Sequence, residues 1–191
     1  MFAKDLRVGL ILFLVMTVIT GVAYPILVTG IANVVAPGAA HGSLVERDGK
    51  VVGSALLGQH FSAPKYFWGR PSATSPLANN GGASSGSNLG PTNPALTDAV
   101  KSHIDMLRAA DPDNKAAIPV DLVASSASGL DPEISPAAAH YQSNRVAKAR
   151  GLDAEEVDAL IVQYTQGRTF GVLGEARVNV LALNLALDAI K

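Results

Sequence analysis

The stretch VGLILFLVMTVITGVAYPILVTGIANVV, residues 8–35, decides the architecture of this chain because it contains no charged side chain. At about 1.5 Å per residue, a helix of this length crosses the roughly 30 Å hydrocarbon core of a bilayer. A cleaved signal peptide, the alternative, has an apolar region of only about 7–15 residues. The stretch therefore predicts an uncleaved transmembrane helix over residues 8–35.

Basic residues set the expected orientation of this helix. Lys4 and Arg7 precede it, and the next basic residue, Arg47, lies well beyond its other end. Basic residues close to a span tend to stay in the cytoplasm. We therefore expect residues 1–7 to be cytoplasmic and residues 38–191 to lie outside the cytoplasm.

The predicted span also contains small and polar residues. Thr20, Gly21, Tyr24 and Pro25 interrupt the apolar stretch near its middle. Small and hydroxyl-bearing residues let helices approach closely and form hydrogen bonds across an interface, and Pro25 is expected to kink the helix. These four positions are the predicted contact with other membrane subunits. The alternative is a single anchor that tolerates a few polar residues.

The remaining residues, 38–191, are enough for one globular domain with its own core. The whole chain has a net charge of −1, and only 16% of its residues are charged. Nucleic-acid binding needs a basic surface, so this charge argues against a nucleic-acid partner. The chain has no cysteine, which fits an oxidising compartment.

Residues 43–54 have the pattern of a β-hairpin, because two short strand-like stretches flank Asp48-Gly49, a pair typical of a type I′ turn. The second strand is expected to extend through Ala55 to Phe61, and Phe170 to Leu173 is a further strand that could join the hairpin. Residues 69–94 are dense in Gly, Ser, Asn and Pro, which predicts a long loop.

Four helices are predicted in the second half of the domain. Asn93-Pro94 and Ser135-Pro136 each combine a capping residue with proline at the first helical position. These helices are expected to end near Ala109 and at Gly151, respectively. Two more are expected over residues 153–166 and 178–190. Together with the hairpin, they predict an α+β fold in which helices cover a small sheet.

Several kinds of catalytic site are absent from the sequence. There is no phosphate-binding P-loop, no dinucleotide fingerprint and no Gly-x-Ser-x-Gly elbow. The four histidines lack metal-ligand spacing. The sequence therefore predicts a non-catalytic chain with no metal site and no tightly bound cofactor.

An unusual aromatic cluster begins the long loop. Tyr66, Phe67 and Trp68 are followed closely by Arg70. Aromatic residues and arginine are frequent at the centres of protein interfaces, so these four residues are a candidate partner interface. The equally good alternative is that the aromatic residues close the base of the loop while Arg70 pairs with a carboxylate.

Two further features could bind an anion. Ser84, Ser85, Gly86, Ser87 and Asn88, here called the small-residue loop, could present successive backbone N–H groups. Gln142 and Arg145 lie three residues apart, on one face of a predicted helix. Flexibility of the loop and a favourable interaction of Arg145 with the helix dipole explain the same residues without a ligand.

Several blocks together resemble one protein family. They run in order from the start of the domain to its last helix: 42–44, 53–59, 67–73, 87–89, 126–132, 145–150 and 178–188. The chain is similar over nearly its whole length to the C subunit (KdpC) of the bacterial potassium-transporting P-type ATPase.

The resemblance implies an accessory subunit of an ATP-driven potassium import complex in the cell inner membrane. Its implied partners are a potassium-channel-like subunit, a P-type ATPase subunit and a small hydrophobic subunit. One implied role is to stabilise or gate the channel-like subunit. The other is that of a chaperone-like partner that raises the affinity of the ATPase subunit for ATP.

The chaperone-like role would make Gln142 and the small-residue loop (Ser84, Ser85, Gly86, Ser87 and Asn88) the positions tied to nucleotide binding. ATP would then be reached only through the ATPase subunit. The charge rule places the domain outside the cytoplasm, where ATP is absent, and this favours the stabilising or gating role. Ser85 stands where the family commonly has glycine, which is expected to narrow the backbone freedom there. Binding of a small ligand in a closed apolar pocket is a third possibility that the sequence leaves open.

Overall fold

A computed structural model describes residues 2–190 of the chain, which divides into two units between Leu44 and Val45. The first unit contains helices α1 (Phe2–Val18), α2 (Tyr24–Val35) and α3 (Pro37–Ala40). A π turn, Ile19–Ala23, joins α1 to α2. Together Phe2–Val35 is long and apolar enough to cross a membrane, and none of its most apolar stretch is buried.

The π turn lies where the sequence predicts a disturbance of the helix. Pro25 has no N–H, so it cannot bond the carbonyl of Gly21. The N–H of Tyr24 donates to the carbonyl of Ile19, five residues back, instead of four. The hydroxyl of Thr20 donates to the carbonyl of Met16 at 2.7 Å. The helix thus accommodates proline by widening one turn, a common response in membrane helices.

The expected hairpin follows, with strands β1 (Leu44–Arg47) and β2 (Lys50–Ser54), and all of it except Leu44 belongs to the second unit. Asp48 and Gly49 have φ values of +52° and +72°, as a type I′ turn requires. The expected extension of β2 through Phe61 is wrong. Past Ser54 the chain turns, and the N–H of Leu57 donates to the carbonyl of Ser54.

A long irregular segment follows, since residues 55–93 contain no helix or strand. Hydroxyl and amide side chains take over the hydrogen bonding of its backbone. Ser72 Oγ donates to the carbonyl of Gly129 at 2.7 Å, and the N–H of Asn79 donates to Ser72 Oγ at 2.9 Å. Thr74 Oγ1 similarly bonds the carbonyl of Leu77. The loop that the sequence predicts over 69–94 is therefore held against the rest of the domain by side-chain hydrogen bonds.

The helical half of the domain follows its predicted caps. Asn93 caps α4 (Pro94–Ala110) by accepting from the N–H of Ala95, and Ser135 caps α5 (Pro136–Arg150) by accepting from the N–H of Ala138. Gly151 ends α5 with φ +68°. A 3-10 turn, Val120–Leu122, lies between these two helices. Helix α6 covers Ala154–Tyr164.

A small antiparallel sheet has the strand order β3 (Glu133–Ile134), β5 (Arg177–Asn179), β4 (Thr165–Gln166). Val178 pairs with both Ile134 and Thr165, so the expected start of the last helix at Val178 is wrong. Helix α7 is Val180–Leu187. It begins after Asn179, whose side chain accepts from the N–H of Ala182 at 3.0 Å.

The expected strand from Phe170 to Leu173 is also wrong. Thr169 and Leu173 bond each other across a tight turn, in which Phe170 and Gly171 have φ values of +55° and +76°. Phe170 is 89% exposed, so this segment does not pair with the hairpin as a buried strand would. The α+β class itself is confirmed.

The core of the second unit lies where α5, α6 and α7 pack against the small sheet. Its fully buried side chains come from strands, helices and the loop alike, and they include Phe67, Ile134, Val146, Val157, Ile161, Val178, Leu183 and Leu187. The loop thus contributes directly to the core through Phe67.

Candidate functional site

The aromatic segment, defined here as Pro64–Trp68, contacts side chains from both α5 and the end of α7. Phe67 is fully buried and Trp68 is 9% exposed. The segment has no neighbouring strand to satisfy its buried N–H and C=O groups, which need partners. Two side-chain amides take the place of such a strand.

Asn184, from α7, binds the backbone of Phe67 through both polar atoms of its side-chain amide. The N–H of Phe67 donates to Asn184 Oδ1 at 2.8 Å, and Asn184 Nδ2 donates to the carbonyl of Phe67 at 3.0 Å. Asn184 is 2% exposed. Asn184, a polar residue in an otherwise apolar helix, therefore holds the loop in place.

Gln142, from α5, binds the next residue in the same way. The N–H of Trp68 donates to Gln142 Oε1 at 2.8 Å, and Gln142 Nε2 donates to the carbonyl of Trp68 at 3.1 Å. The same nitrogen also donates to the carbonyl of Ala138 at 3.2 Å. Gln142 is 1% exposed. The Gln142 amide therefore forms these hydrogen bonds within the folded domain.

Arg145 completes this arrangement. Its guanidinium donates to the carbonyls of Pro64 and Tyr66 and, at 2.6 Å, to Gln142 Oε1. It also lies over the Trp68 ring, 4.1 Å from the centroid, in a cation–π contact. Burial lowers the pKa of Arg145 to about 10, against the smaller raising effects of Asp111 and Tyr141. Arg145 is therefore still charged at neutral pH.

Asp188, just past α7, joins three parts of the domain. Its carboxylate accepts from Arg150 Nη2 at 2.7 Å, from Tyr66 Oη at 3.1 Å and from Arg47 Nη1 at 3.2 Å. Burial raises the pKa of Asp188, but the hydrogen bonds from Arg150 and Tyr66 and the charges of Arg150 and Arg47 outweigh it. The net effect is a lowered pKa.

The lowered pKa of Asp188 predicts a pH-dependent contribution to stability. A carboxyl group with a lowered folded pKa stabilises the fold above its unfolded pKa, and this is lost as the pH falls through the folded pKa. We expect Asp188→Asn to lower the free energy of unfolding by about 1–2 kcal/mol at pH 7. The loss should shrink as the pH falls below about 4.

Urea unfolding of the full chain in detergent, followed by the fluorescence of Trp68, measures this difference. Asp98→Asn, at an exposed position on α4, is the matched control. Its free energy of unfolding should equal that of the unchanged chain at both pH 7 and pH 2.5. An equal loss for Asp188→Asn at pH 7 and pH 2.5 would contradict the assigned role of the carboxylate.

The predicted partner interface on the domain is thus mostly internal. Phe67 and Trp68 belong to the core, and Arg70 Nη1 forms an ion pair with Asp131 Oδ2 at 3.0 Å. This arrangement corresponds to the alternative in which aromatic residues close the base of the loop. Tyr66 and Arg70 are half-buried, so a partner would reach the segment through them.

The small-residue loop packs against residues 126–129. The N–H of Ser85 donates to the carbonyl of Ser128 at 3.0 Å, as does Ser84 Oγ at 3.1 Å. A Cβ added at Gly86 would lie 2.8 Å from the carbonyl oxygen of Ala127, so this contact requires glycine. Ser85 does not have a positive φ, and serine fits its position without backbone strain.

Among residues 2–190, no hydrogen bond joins Gln142 to the small-residue loop. The hydrogen bonds of Gln142 go to Trp68, Ala138 and Arg145, while those of Ser84 and Ser85 go to Ser128 and Gly86. Nucleotide binding at these positions stays a prediction. Within residues 2–190, no three His, Asp or Glu side chains lie close enough to hold a metal ion.

Thr20, Gly21, Tyr24 and Pro25 are exposed on the apolar helix, in and beside the π turn. Their role as a contact with other membrane subunits stays a prediction.

Sequence reasoning missed two residues that hold the aromatic segment, Asn184 in α7 and Asp188 just past its end. The signal for Asn184 was present, because a lone amide in a nearly continuous apolar helix must find a hydrogen-bond partner when it is buried. The pairing of Asp188 with Arg150 and Arg47 had no such signal, since the three residues are far apart in the sequence.

A family model described as K+-transporting ATPase, c chain (KdpC), matches residues 6–189. The chain belongs to the KdpC family. It is 64% identical over 186 residues to the potassium-transporting ATPase KdpC subunit of Polaromonas naphthalenivorans. The aligned region covers 97% of this chain and 95% of that protein. It is 61% identical over 186 residues to the protein of the same description from Sorangium cellulosum, covering 97% and 98%, respectively.

In this KdpC-family chain, four of the sequence blocks that carry the resemblance, 67–73, 126–132, 145–150 and 178–188, also contact one another in the second unit. The block 67–73 is bound by Arg145 and Asn184, which belong to the blocks 145–150 and 178–188. The block 126–132 binds the small-residue loop and the Arg70 guanidinium. These blocks thus form one connected part of the second unit.

Proposed function

We propose that this chain is a non-catalytic accessory subunit of an ATP-driven potassium import complex. Full-length similarity carries the proposal, since relatives described as potassium-transporting ATPase KdpC subunits match at least 95% of this chain and of their own length. In this role the chain stabilises or gates a potassium-channel-like subunit, while a P-type ATPase subunit hydrolyses ATP. A small hydrophobic subunit is the third partner.

The internal use of the polar side chains supports a non-catalytic role. Gln142, Arg145 and Asn184 are buried and bind backbone groups of the aromatic segment. Side chains held in this way fix a loop and leave few groups available for chemistry. ATP would then contact this chain only through the ATPase subunit.

The proposed topology has one span in the cell inner membrane, with the N-terminus in the cytoplasm and residues 38–191 outside. Lys4 and Arg7 beside the apolar helix support it through the preference of basic residues for the cytoplasmic side. The domain is then placed to act on the outer side of the channel-like subunit.

Cysteine labelling tests this topology, because the chain has no cysteine of its own. We expect Ser102→Cys, at an exposed position on α4, to react with a membrane-impermeant maleimide in intact spheroplasts. The matched variant Ala3→Cys, exposed at the other end of the span, should react only after the membrane is permeabilised.

The reverse pattern would overturn the proposed topology. Protection of Ser102→Cys in intact spheroplasts together with labelling of Ala3→Cys would place the domain in the cytoplasm. That result would favour the alternative role, in which the chain raises the ATP affinity of the ATPase subunit.

A further inference from the structure

Three exposed apolar side chains belong to the tight turn between β4 and β5. Phe170 is 89% exposed, Val172 is 72% exposed and Leu173 is 59% exposed. These three residues are here called the apolar tip. Residues 169–174 contain no charged side chain. Neighbouring exposed apolar side chains, unlike scattered single ones, mark a surface that contacts a membrane or another protein.

Hydrogen bonds hold the apolar tip in a defined conformation. The N–H of Thr169 donates to the carbonyl of Leu173, and the N–H of Leu173 donates to the carbonyl of Thr169, both at 2.9 Å. The N–H of Gly171 donates to the carbonyl of Arg168 at 3.0 Å. These backbone groups are satisfied within the turn, which lowers the cost of moving the turn out of water.

Phe170 has a backbone conformation that bulky residues rarely adopt. Its φ is +55°, in the left-handed region, where a side chain costs free energy. Within the domain the ring gains little burial in return, since it is the most exposed side chain of the tip. Burial of the ring outside the domain would offset this cost.

The charges beside the apolar tip are paired with each other. Arg168 Nη2 donates to Glu175 Oε1 at 2.8 Å and to Oε2 at 2.6 Å. Both residues are exposed, so this pair can stay hydrated while the tip is buried. Because the pair carries no net charge, burial of apolar surface, and not attraction to anionic groups, would drive a contact of the tip.

The size of the apolar tip favours a lipid surface over a protein partner. A specific protein interface buries about 800 Å² on each side. A phenylalanine side chain buries about 150–250 Å², and valine and leucine are smaller, so the tip alone falls well short of that area.

A bilayer is also the surface nearest to the second unit. This unit starts at Val45, soon after the long apolar helix ends at Val35. The connecting residues reach at most about 35 Å when fully extended, so a span in the membrane keeps the domain beside it. Contact with the same bilayer is then intramolecular, and a small apolar surface is enough for it.

We propose that the apolar tip inserts into the interfacial region of the bilayer that the long apolar helix crosses. Phe170 lies about 5–10 Å deep, at the boundary of headgroups and acyl chains, and the Arg168–Glu175 pair stays at headgroup level. This second attachment limits the rotation of the domain on its single span. It goes beyond the proposed role in potassium import and rests on it only through the span.

Quenching by brominated lipid tests the contact on the full chain in phosphatidylcholine vesicles. Phe170→Trp adds a second tryptophan to Trp68, which is buried. We expect lipid brominated near the headgroup to quench a fraction of its emission at least about twice that lost by the unchanged chain. Adding phosphatidylglycerol to about a quarter of the lipid should leave this fraction unchanged, because the contact does not depend on charge.

Two variants show whether the quenching belongs to the apolar tip. Leu77→Trp, at an exposed apolar position in the long loop, is the matched control and should be quenched no more than the unchanged chain. Val172→Ser combined with Leu173→Ser, in the Phe170→Trp chain, should remove at least about half of the added quenching. All these side chains are exposed, and urea unfolding followed through Trp68 checks that the domain stays folded.

Leu14→Trp, within the apolar helix, separates the apolar tip from the span. Strong quenching of Leu14→Trp without added quenching of Phe170→Trp would overturn the contact and leave the span in place. Absence of quenching at both positions would refute the span and this proposal together. A Phe170→Trp chain that is shielded from iodide but not quenched by brominated lipid would mean that the tip contacts protein, and this would also overturn the proposal.

Discussion

Replacing Gln142 with leucine is expected to lower the free energy of unfolding of the domain by about 3–5 kcal/mol. Leucine has a similar volume but no polar atoms. The N–H and C=O of Trp68 would both lose their partner, and Arg145 would lose its 2.6 Å bond to Gln142 Oε1. Each buried group left unsatisfied costs about 1–3 kcal/mol, and here several are affected together.

Urea unfolding of the full chain in detergent measures this loss, with Trp68 as a reporter inside the affected segment. Gln163→Leu is the matched control, because Gln163 is exposed on α6, and its effect should stay within about 0.5 kcal/mol. Combining Gln142→Leu with Arg145→Met should cost at least about 1 kcal/mol less than the sum of the two single losses, since the side chains share one network.

The same variant separates the structural role of Gln142 from a role in nucleotide binding. A folded variant that unfolds at the same urea concentration as the unchanged protein would contradict the role of Gln142 in holding the backbone of Trp68. Gln142 would then be free to serve a ligand, as the family resemblance implies. A large loss of stability instead means that any effect of this variant on ATP affinity must first be corrected for unfolding.

Deleting the gene for this chain is expected to abolish growth at limiting potassium, because the proposed complex would no longer assemble or no longer transport potassium with high affinity. The loss should be complete in a medium where this importer is the sole source of potassium. Growth is measured beside the recovery of the ATPase subunit with the channel-like subunit after mild solubilisation, so that assembly and transport are read separately.

Partial chains sharpen this prediction. Residues 1–44 alone test the anchor, and residues 45–191 behind an unrelated single span test the domain, following the boundary between the two units. We expect neither to restore growth, because the proposed role needs both a specific helix in the membrane and the domain. Normal growth of cells that lack the whole chain would refute the accessory role.

Local signals predicted much of the fold correctly. The long apolar helix that includes residues 8–35, the type I′ turn at Asp48-Gly49 and the start and end of α5 all depend on residues close together in the sequence. Turn and capping residues act through their own backbone and that of their immediate neighbours. Their effect can therefore be read without knowledge of the rest of the chain.

The errors have a common cause. Val178 was expected in a helix because the apolar stretch begins there, but it pairs with Ile134 and Thr165, which come from distant parts of the chain. Phe170 to Leu173 is apolar enough for a strand, yet the positive φ values of Phe170 and Gly171 close it into a turn. Strand pairing is decided by partners, and a short apolar segment does not specify them.

By itself, the sequence determined that this chain has one long apolar helix followed by an α+β domain, and its ordered blocks indicated the KdpC family. Only the tertiary structure decided what the aromatic and amide residues do. Gln142 and Asn184 lie 42 positions apart in the sequence numbering, yet they bind consecutive residues of one loop. An amide can bind a ligand or a backbone equally well, and only the position of the folded chain around it selects the partner.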